Sequence, residues 1–482
     1  MMLWHRADEG LALAHDPHNE PQIGHRSVYG GTQPFGLSAQ DRRQHLYIAG
    51  KTGTGKTTLL RNLLIQSIES GEGVGLIDPH GDLADEILNF IPRSRSRDVV
   101  IFDPSDQEYP VAFNVLHGLE GDQIHLAVSA VVAAFKGIWR ESWGPRMEYI
   151  LQSCLMALAE CENISLFGVQ RMLIDDVYRA WVLRQVRDPA VQGFWREFDA
   201  YDKRFLTEAV APIQNKIGQL FLSPQIRLIL GQVRSRIDLR FIMDHQRIFI
   251  ANLSKGKIGE HSSGLLGALL VGQFHQAALS RANLPEHDRR GFFLVVDEFQ
   301  SFGTDVYSKI LSEARKFNLS IALSTQHSSQ LGPEIRESIL GNAGNLICFR
   351  VGESDAQVMA RAFGGVFPPA RFTELGNFEV LVKLLRDGRY GEPFHGITLP
   401  PDGTFHGGRD NVIRQCRQRY ATPRAVVEER LRRWMEIDWN GFVDADMVDR
   451  NSPRNPKSKK IPGGRGSENA AIKSWRDRRA IR

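Results

Sequence analysis

The stretch Gly50-Lys51-Thr52-Gly53-Thr54-Gly55-Lys56-Thr57 reads G-x-x-x-x-G-K-T and constrains this chain more than any other. An apolar run, Leu46-Tyr47-Ile48-Ala49, precedes it, and a helical pattern follows with Leu59, Leu60, Leu63, Leu64 and Ile68 on its apolar positions. A strand, a glycine turn and a helix in that order predict a loop whose N–H groups wrap phosphates. The glycines allow the tight turn and the close approach that a Cβ would obstruct. The helix then turns its positive end toward the anion. Gly50 through Thr58 are therefore the expected binding set for ATP or GTP. Lys56 is expected on the β- and γ-phosphates, and the Thr57 hydroxyl in the Mg2+ shell.

Beyond the loop the pattern alternates. Val74-Gly75-Leu76-Ile77 and Val99-Val100-Ile101-Phe102 read as buried strands, with a short helix over residues 82–90 between them. Apolar strands separated by helices predict an α/β fold with a mostly parallel sheet covered on both faces. From about residue 117 to 235 the period is helical, as in residues 124–135, 147–160, 167–174 and 205–221. Strand-like runs resume at residues 247–251, 292–296, 320–323 and 345–349. The expected organisation is an N-terminal extension (1–34), an α/β core in two pieces (35–116 and 236–400) and an all-helical insertion (117–235). A loop at 403–408 leads to a C-terminal docking region (409–449) and a tail (450–482). In the docking region Thr422-Pro423 opens a helix whose Val427, Leu431, Trp434 and Met435 form a stripe expected to face the core.

Phe292 to Val296 is an apolar strand ending in Asp297-Glu298. An acid at such a strand end holds Mg2+ and its neighbour polarises the attacking water, so Asp297 is assigned to the metal and Glu298 to the water. Lys56 and Asp297 lie 241 positions apart, whereas two or three βα units need only about 30 residues each. The helical insertion accounts for the excess. Gln326, after the strand at 320–324, is placed to reach the γ-phosphate. Arg315, on a helix read over 305–317, is a candidate to stabilise transition-state charge in a neighbouring subunit, and Arg350 is a second. A helix C-terminus also favours cations, which gives Arg315 a plain structural reading.

Composition narrows the setting. The longest apolar stretch, Gly264 to Ala278, carries Gln273, His275 and Gln276 and is shorter than the roughly 20 residues that span a bilayer. No integral membrane segment or signal peptide is expected. Cys154, Cys161, Cys348 and Cys416 lack metal-site spacing and read as reduced thiols of a cytosolic protein. The net charge of +4 conceals a tail from Arg450 with eleven Lys/Arg against Glu468 and Asp477. Such a basic, Pro/Gly/Ser-rich tail is expected to be disordered and to suit nucleic acid or an anionic membrane surface. Residues 135–146 interleave Phe135, Trp139 and Trp143 with Lys136, Arg140 and Arg146. They read either as a DNA contact or as two packed helices joined by a turn, with Pro145 opening the second.

The segments DRRQHLYIAGKTGTGKTTLL, GVGLIDPHGDL, FFLVVDEFQSFGT, LSEARKFNLSIALSTQ and ICFRVGESDA together resemble the HerA/FtsK superfamily of DNA-pumping ATPases. Within it they are most similar to the cytosolic part of type IV secretion (conjugative) coupling proteins, over about residues 35–398, with RQRYATPRAVVEERL adding to the likeness. The resemblance implies a RecA-like P-loop NTPase core interrupted by an all-α domain, with ATP and Mg2+ as cofactors. It implies a homo-hexameric ring around a DNA channel. Lys56 and Thr57 match the family's phosphate and Mg2+ ligands, Asp297 and Glu298 its acidic pair, Gln326 its sensor glutamine and Arg315 its trans-acting arginine. His80 stands where the family often shows Lys, in the turn Asp78-Pro79-His80-Gly81-Asp82. Coupling proteins begin with transmembrane helices and HerA proteins with a small β-barrel. Neither is expected in the roughly 45 polar residues read before the first strand.

The expected function is an ATP-dependent DNA translocase hydrolysing ATP at subunit interfaces, with a secretion-channel, relaxosome or nuclease partner. Its expected location is the cytoplasm, free or peripheral to the inner membrane. One alternative is a HerA-like motor serving a nuclease in DNA-end processing or defence. The other is a nucleotide-gated scaffold that does no work on DNA.

Overall fold

Apolar tetrads such as Leu46–Ala49 are stable as strands only where both faces are covered, and the chain meets that demand with one large sheet. The computed structural model describes residues 21–437 apart from 120, 122, 303, 304, 329, 330 and 387; the basic tail lies outside the described residues. The strands are β1 (Gln22–Val28), β2 (Gly31–Gly36), β3 (Leu46–Ala49), β4 (Gly73–Asp78), β5 (Val99–Phe102), β6 (Ile248–Asn252) and β7 (Phe292–Val296). They continue with β8 (Leu319–Thr325), β9 (Asn345–Cys348), β10 (Glu379–Lys383), β11 (Leu385–Arg386), β12 (Arg389–Tyr390) and β13 (Phe394–Thr398). Eleven of them form the sheet, in the order β2-β1-β13-β10-β9-β3-β8-β7-β4-β6-β5.

From β9 to β5 all neighbours are parallel. Every residue of β3, β4, β6, β7 and β8 is buried. The fold is therefore an α/β core built on a mostly parallel sheet. β3 lies between β8 and β9, and β7 lies on the far side of β8. Parallel neighbours end on one side, so the segments leaving β3, β7 and β8 converge at a single edge, where ligands of open α/β sheets bind.

The N-terminal region departs from expectation. Residues 22–34, read as polar extension, form most of the hairpin β1–β2, which pairs antiparallel with β13 at the sheet edge. Ile23 and Phe35 are buried there, and Phe35 meets Phe394 edge-on at 5.0 Å. The signal was weak because most other hairpin residues are polar and exposed.

Between β5 and β6 the chain is helical, with helices Gln123–Ile138, Pro145–Ala159, Gly168–Ile174, Asp176–Leu183, Pro189–Ala200, Lys203–Leu222 and Pro224–Leu230. Asp175, Asp188 and Asp202 each accept a backbone N–H at a helix start. In residues 135–146 the packed-helix reading matches the geometry. Phe135 is buried with Trp139 stacked on it at 5.5 Å, Pro145 opens the second helix, and Trp143 Nε1 donates to Glu148 at 2.6 Å. The apolar stretch 264–278 is the buried helix Glu260–Leu279, whose Phe274 ring packs on Phe249 and Phe292. Among the described residues no helix is long and apolar enough to cross a membrane.

The C-terminal helices also correct the reading. Helix Arg409–Tyr420 docks on the α/β core, where Cys416 Sγ accepts the Ile101 N–H at 3.1 Å. Helix Arg424–Met435 instead carries Trp434 to the helical insertion, between the rings of Phe167 and Tyr178 and under Arg171 at 4.9 Å. Val427 and Leu431 are buried, but Met435 is not. An apolar stripe shows that a helix docks. It does not show on what.

Candidate nucleotide site

The loop after β3 is tied down on both sides. Gly50 N–H donates to Thr325 O at the end of β8 (3.2 Å), and Lys51 N–H to Arg350 O beyond β9 (2.8 Å). Thr54, fully buried, returns its hydroxyl to Lys51 O at 2.7 Å. Gly53 and Gly55 have φ of +76° and +116°, which side-chain-bearing residues rarely adopt. A Cβ on Gly53 would project into open space, and one on Gly50 would stand 2.6 Å from Phe349 Cβ. Helix Lys56–Glu69 starts at Gly55 without a side-chain cap. Among the described residues the N–H groups of 52–58 have no hydrogen-bond partner. That open cradle at a helix start fits a polyphosphate.

Lys56 is buried, with Nζ donating to Gly50 O at 2.6 Å and standing 3.8 Å from Glu298 Oε1. Burial pulls this ammonium below its usual range, against the opposing pull of Glu298 and Asp297. Asp297 is pushed up to about 6, first by burial and then by the Glu298 and Asp78 carboxylates. A buried acid short of compensating charge suits a cation. Its carboxylate and the exposed Thr57 hydroxyl are hard oxygen donors of the kind Mg2+ takes. No group of three or more His, Cys, Asp or Glu forms a ready-made metal site among the described residues. A cation there would take most of its ligands from phosphate and water.

Glu298 has φ +42°, a strained value for this residue type. Its Oε2 accepts Gln300 Nε2 at 2.6 Å and the Gln326 N–H at 3.2 Å. Gln326 Oε1 in turn accepts the Thr52 hydroxyl at 2.8 Å. Lys56, Asp297, Glu298 and Gln326, assigned to one site from the sequence, meet at one edge of the sheet. The Asp78 turn caps a helix as read: Asp78 accepts His80 N–H and Ala84 N–H, while the His80 side chain is exposed.

The two arginines go elsewhere. Arg350 bonds Leu375 O and Asn377 Oδ1, both at 3.2 Å. Arg315 lies in the 3-10 turn Ala314–Phe317 that leads into β8, exposed and bonded to Gln44 Oε1. Gln326 leaves the other end of that seven-residue strand, so about 20 Å of sheet separates Arg315 from the site. Phe349 and Phe378, which flank Gly55, were missed because a lone aromatic has no motif.

The helicase HerA central-domain model matches residues 23–270. The chain belongs to that family. The match takes in the phosphate loop and the insertion, and ends before Asp297. Solved structures similar in fold include the plasmid coupling protein TrwB in complex with the non-hydrolysable ATP analogue ADPNP. It is 17% identical, covers 79% of this chain and 90% of that one, and has a TM-score of 0.59. TrwB with ADP and Mg2+ gives 17%, 79%, 90% and 0.57. VirB4 of Thermoanaerobacter pseudethanolicus gives 15%, 79%, 96% and 0.50. None of the curated proteins matches the chain.

Proposed function

We propose that this chain is a DNA-dependent ATPase that works as a translocating ring motor of the coupling-protein kind, with ATP and Mg2+ bound at the Gly50–Thr58 loop. One observation carries the reading. Lys56, Glu298 and Gln326 meet at one edge of the sheet, while Arg315 is exposed at the opposite end of the same strand. A site so divided is completed when subunits stack edge to edge in a head-to-tail ring.

The loop N–H groups and Lys56 hold the phosphates, and Glu298 accepts the proton of the attacking water. Gln326, bonded to both Glu298 and Thr52, reports the state of the γ-position to the loop. Mg2+, held by Thr57 and Asp297, would neutralise charge on the phosphate oxygens. Arg315 of the adjoining copy supplies positive charge to the transition state. Complexes of TrwB with ADPNP and with ADP and Mg2+ support the choice of ligands.

The test is ATP turnover by the full chain with and without single- and double-stranded DNA, with mass determination in the presence of nucleotide. Glu298→Gln is expected to cut turnover about 10²- to 10⁴-fold while ATP still binds. No stimulation by either DNA overturns the motor reading in favour of a nucleotide-gated scaffold. A second reading is a HerA-like motor serving a nuclease, and the family match fits its motor part; co-purification of a nuclease with the native protein would decide for it.

A further inference from the structure

Phe378 is held in a conformation that packing alone does not explain. Its φ is +66°, a region that bulky side chains avoid, and it is 39% exposed. Its N–H donates to Thr54 O at 2.8 Å, and its carbonyl accepts Thr398 N–H at 2.9 Å. Strain of this kind persists only where the surroundings over-determine it, and it gathers at ligand sites. Here the clamp presses the ring onto the phosphate loop. A Cβ on Gly55 would stand 2.8 Å from Phe378 Cδ1 and 3.3 Å from Cε1.

The position is directional. Glu298 and Gln326 flank the loop on the β7–β8 side of β3, and Phe378 flanks it on the β9–β10 side. A triphosphate with its γ end at Lys56 and Glu298 sends its nucleoside the other way, toward Phe378. We propose that the exposed face of Phe378 is the stacking platform for the nucleobase. The inference rests on the nucleotide reading above and adds the half of the ligand that the loop motif does not specify. A π-face serves every base alike, so the ring adds affinity without choosing adenine over guanine.

The test compares ATP, GTP and inorganic tripolyphosphate binding to the full chain by calorimetry in Mg2+ buffer. Phe378→Asn removes the ring with a residue that tolerates positive φ, and Phe378→Trp keeps an aromatic face. Phe378→Asn is expected to weaken ATP and GTP about 5- to 100-fold. Tripolyphosphate binding should be unchanged, and Phe378→Trp should bind all three like the wild type. Equal losses for ATP and tripolyphosphate would make the ring a prop for the loop. Unchanged ATP affinity in Phe378→Asn would show that no base touches it. If the wild type binds tripolyphosphate but not ATP any more tightly, stacking fails while the phosphate site stands. If it binds neither, the nucleotide reading fails as well.

Discussion

Lowering the pH should loosen the core beside Arg315 through the buried His45. His45, just before β3, is 1% exposed, and its Nδ1 accepts the Ile321 N–H at 3.2 Å. That fixes the tautomer, so Nε2–H donates to Leu311 O at 3.0 Å. Burial above all brings its pKa from 6.5 to about 4, and the nearby Arg315 adds to the lowering. A base with a depressed folded pKa leaves stability untouched above the unfolded value. Stability is lost as the pH falls from 6.5 toward 4, because the opened state takes the proton first. Between pH 7.5 and 5.0 the two pKa values give a loss of about 2 kcal/mol, or about 30-fold in the opening equilibrium. Amide exchange of the β8 peptide, corrected for intrinsic rates, reads this directly. Wild-type protection should fall about 30-fold more than that of His45→Gln over the same interval. Parallel losses in the two proteins would refute the buried-neutral account. The consequence reaches the proposed subunit edge, since His45 O anchors Asn345 and the adjoining Gln44 holds Arg315.

Two further outcomes are expected. Arg315→Ala and Lys56→Ala should each abolish turnover alone, yet an equal mixture should regain up to about one quarter of wild-type activity, because random neighbours pair two intact halves at that frequency; no regain on mixing removes Arg315 from the neighbouring site. Trp434→Ala should free helix Arg424–Met435 from the insertion at a cost of about 2 kcal/mol, less than a fully buried Trp, seen as about 30-fold faster amide exchange confined to that helix. Unchanged exchange there would mean that Val427 and Leu431 alone hold it.

The chemistry at the loop was legible in the sequence because phosphate binding depends on local geometry. Gly53 and Gly55 must take positive φ, Lys56 must follow, and an apolar strand must lead in. All of these are matters of neighbours along the chain. The strands β3 to β9 were legible for a related reason, since full burial on both faces leaves an unbroken apolar run. Hairpin β1–β2 escaped notice because its residues are mostly polar and its place is set by pairing with β13, more than 350 positions away. Helix Arg424–Met435 carried a stripe that promised docking, but its partner, the Phe167 and Tyr178 rings, depends on how the insertion folds.

By itself, then, the sequence determined an α/β core with a phosphate-binding loop, an acidic strand end at Asp297-Glu298 and a helical insertion between them. The tertiary structure alone decided how those distant residues reach one edge and which candidate stays away from it. The parallel order β3-β8-β7 brings Gln326 and Glu298 to the loop. The same order sends Arg315 to the far end of β8, because a strand's two ends necessarily face opposite edges of the sheet. It also seated Phe378 against Gly55, through hydrogen bonds to Thr54 and Thr398 that no spacing along the chain foretells.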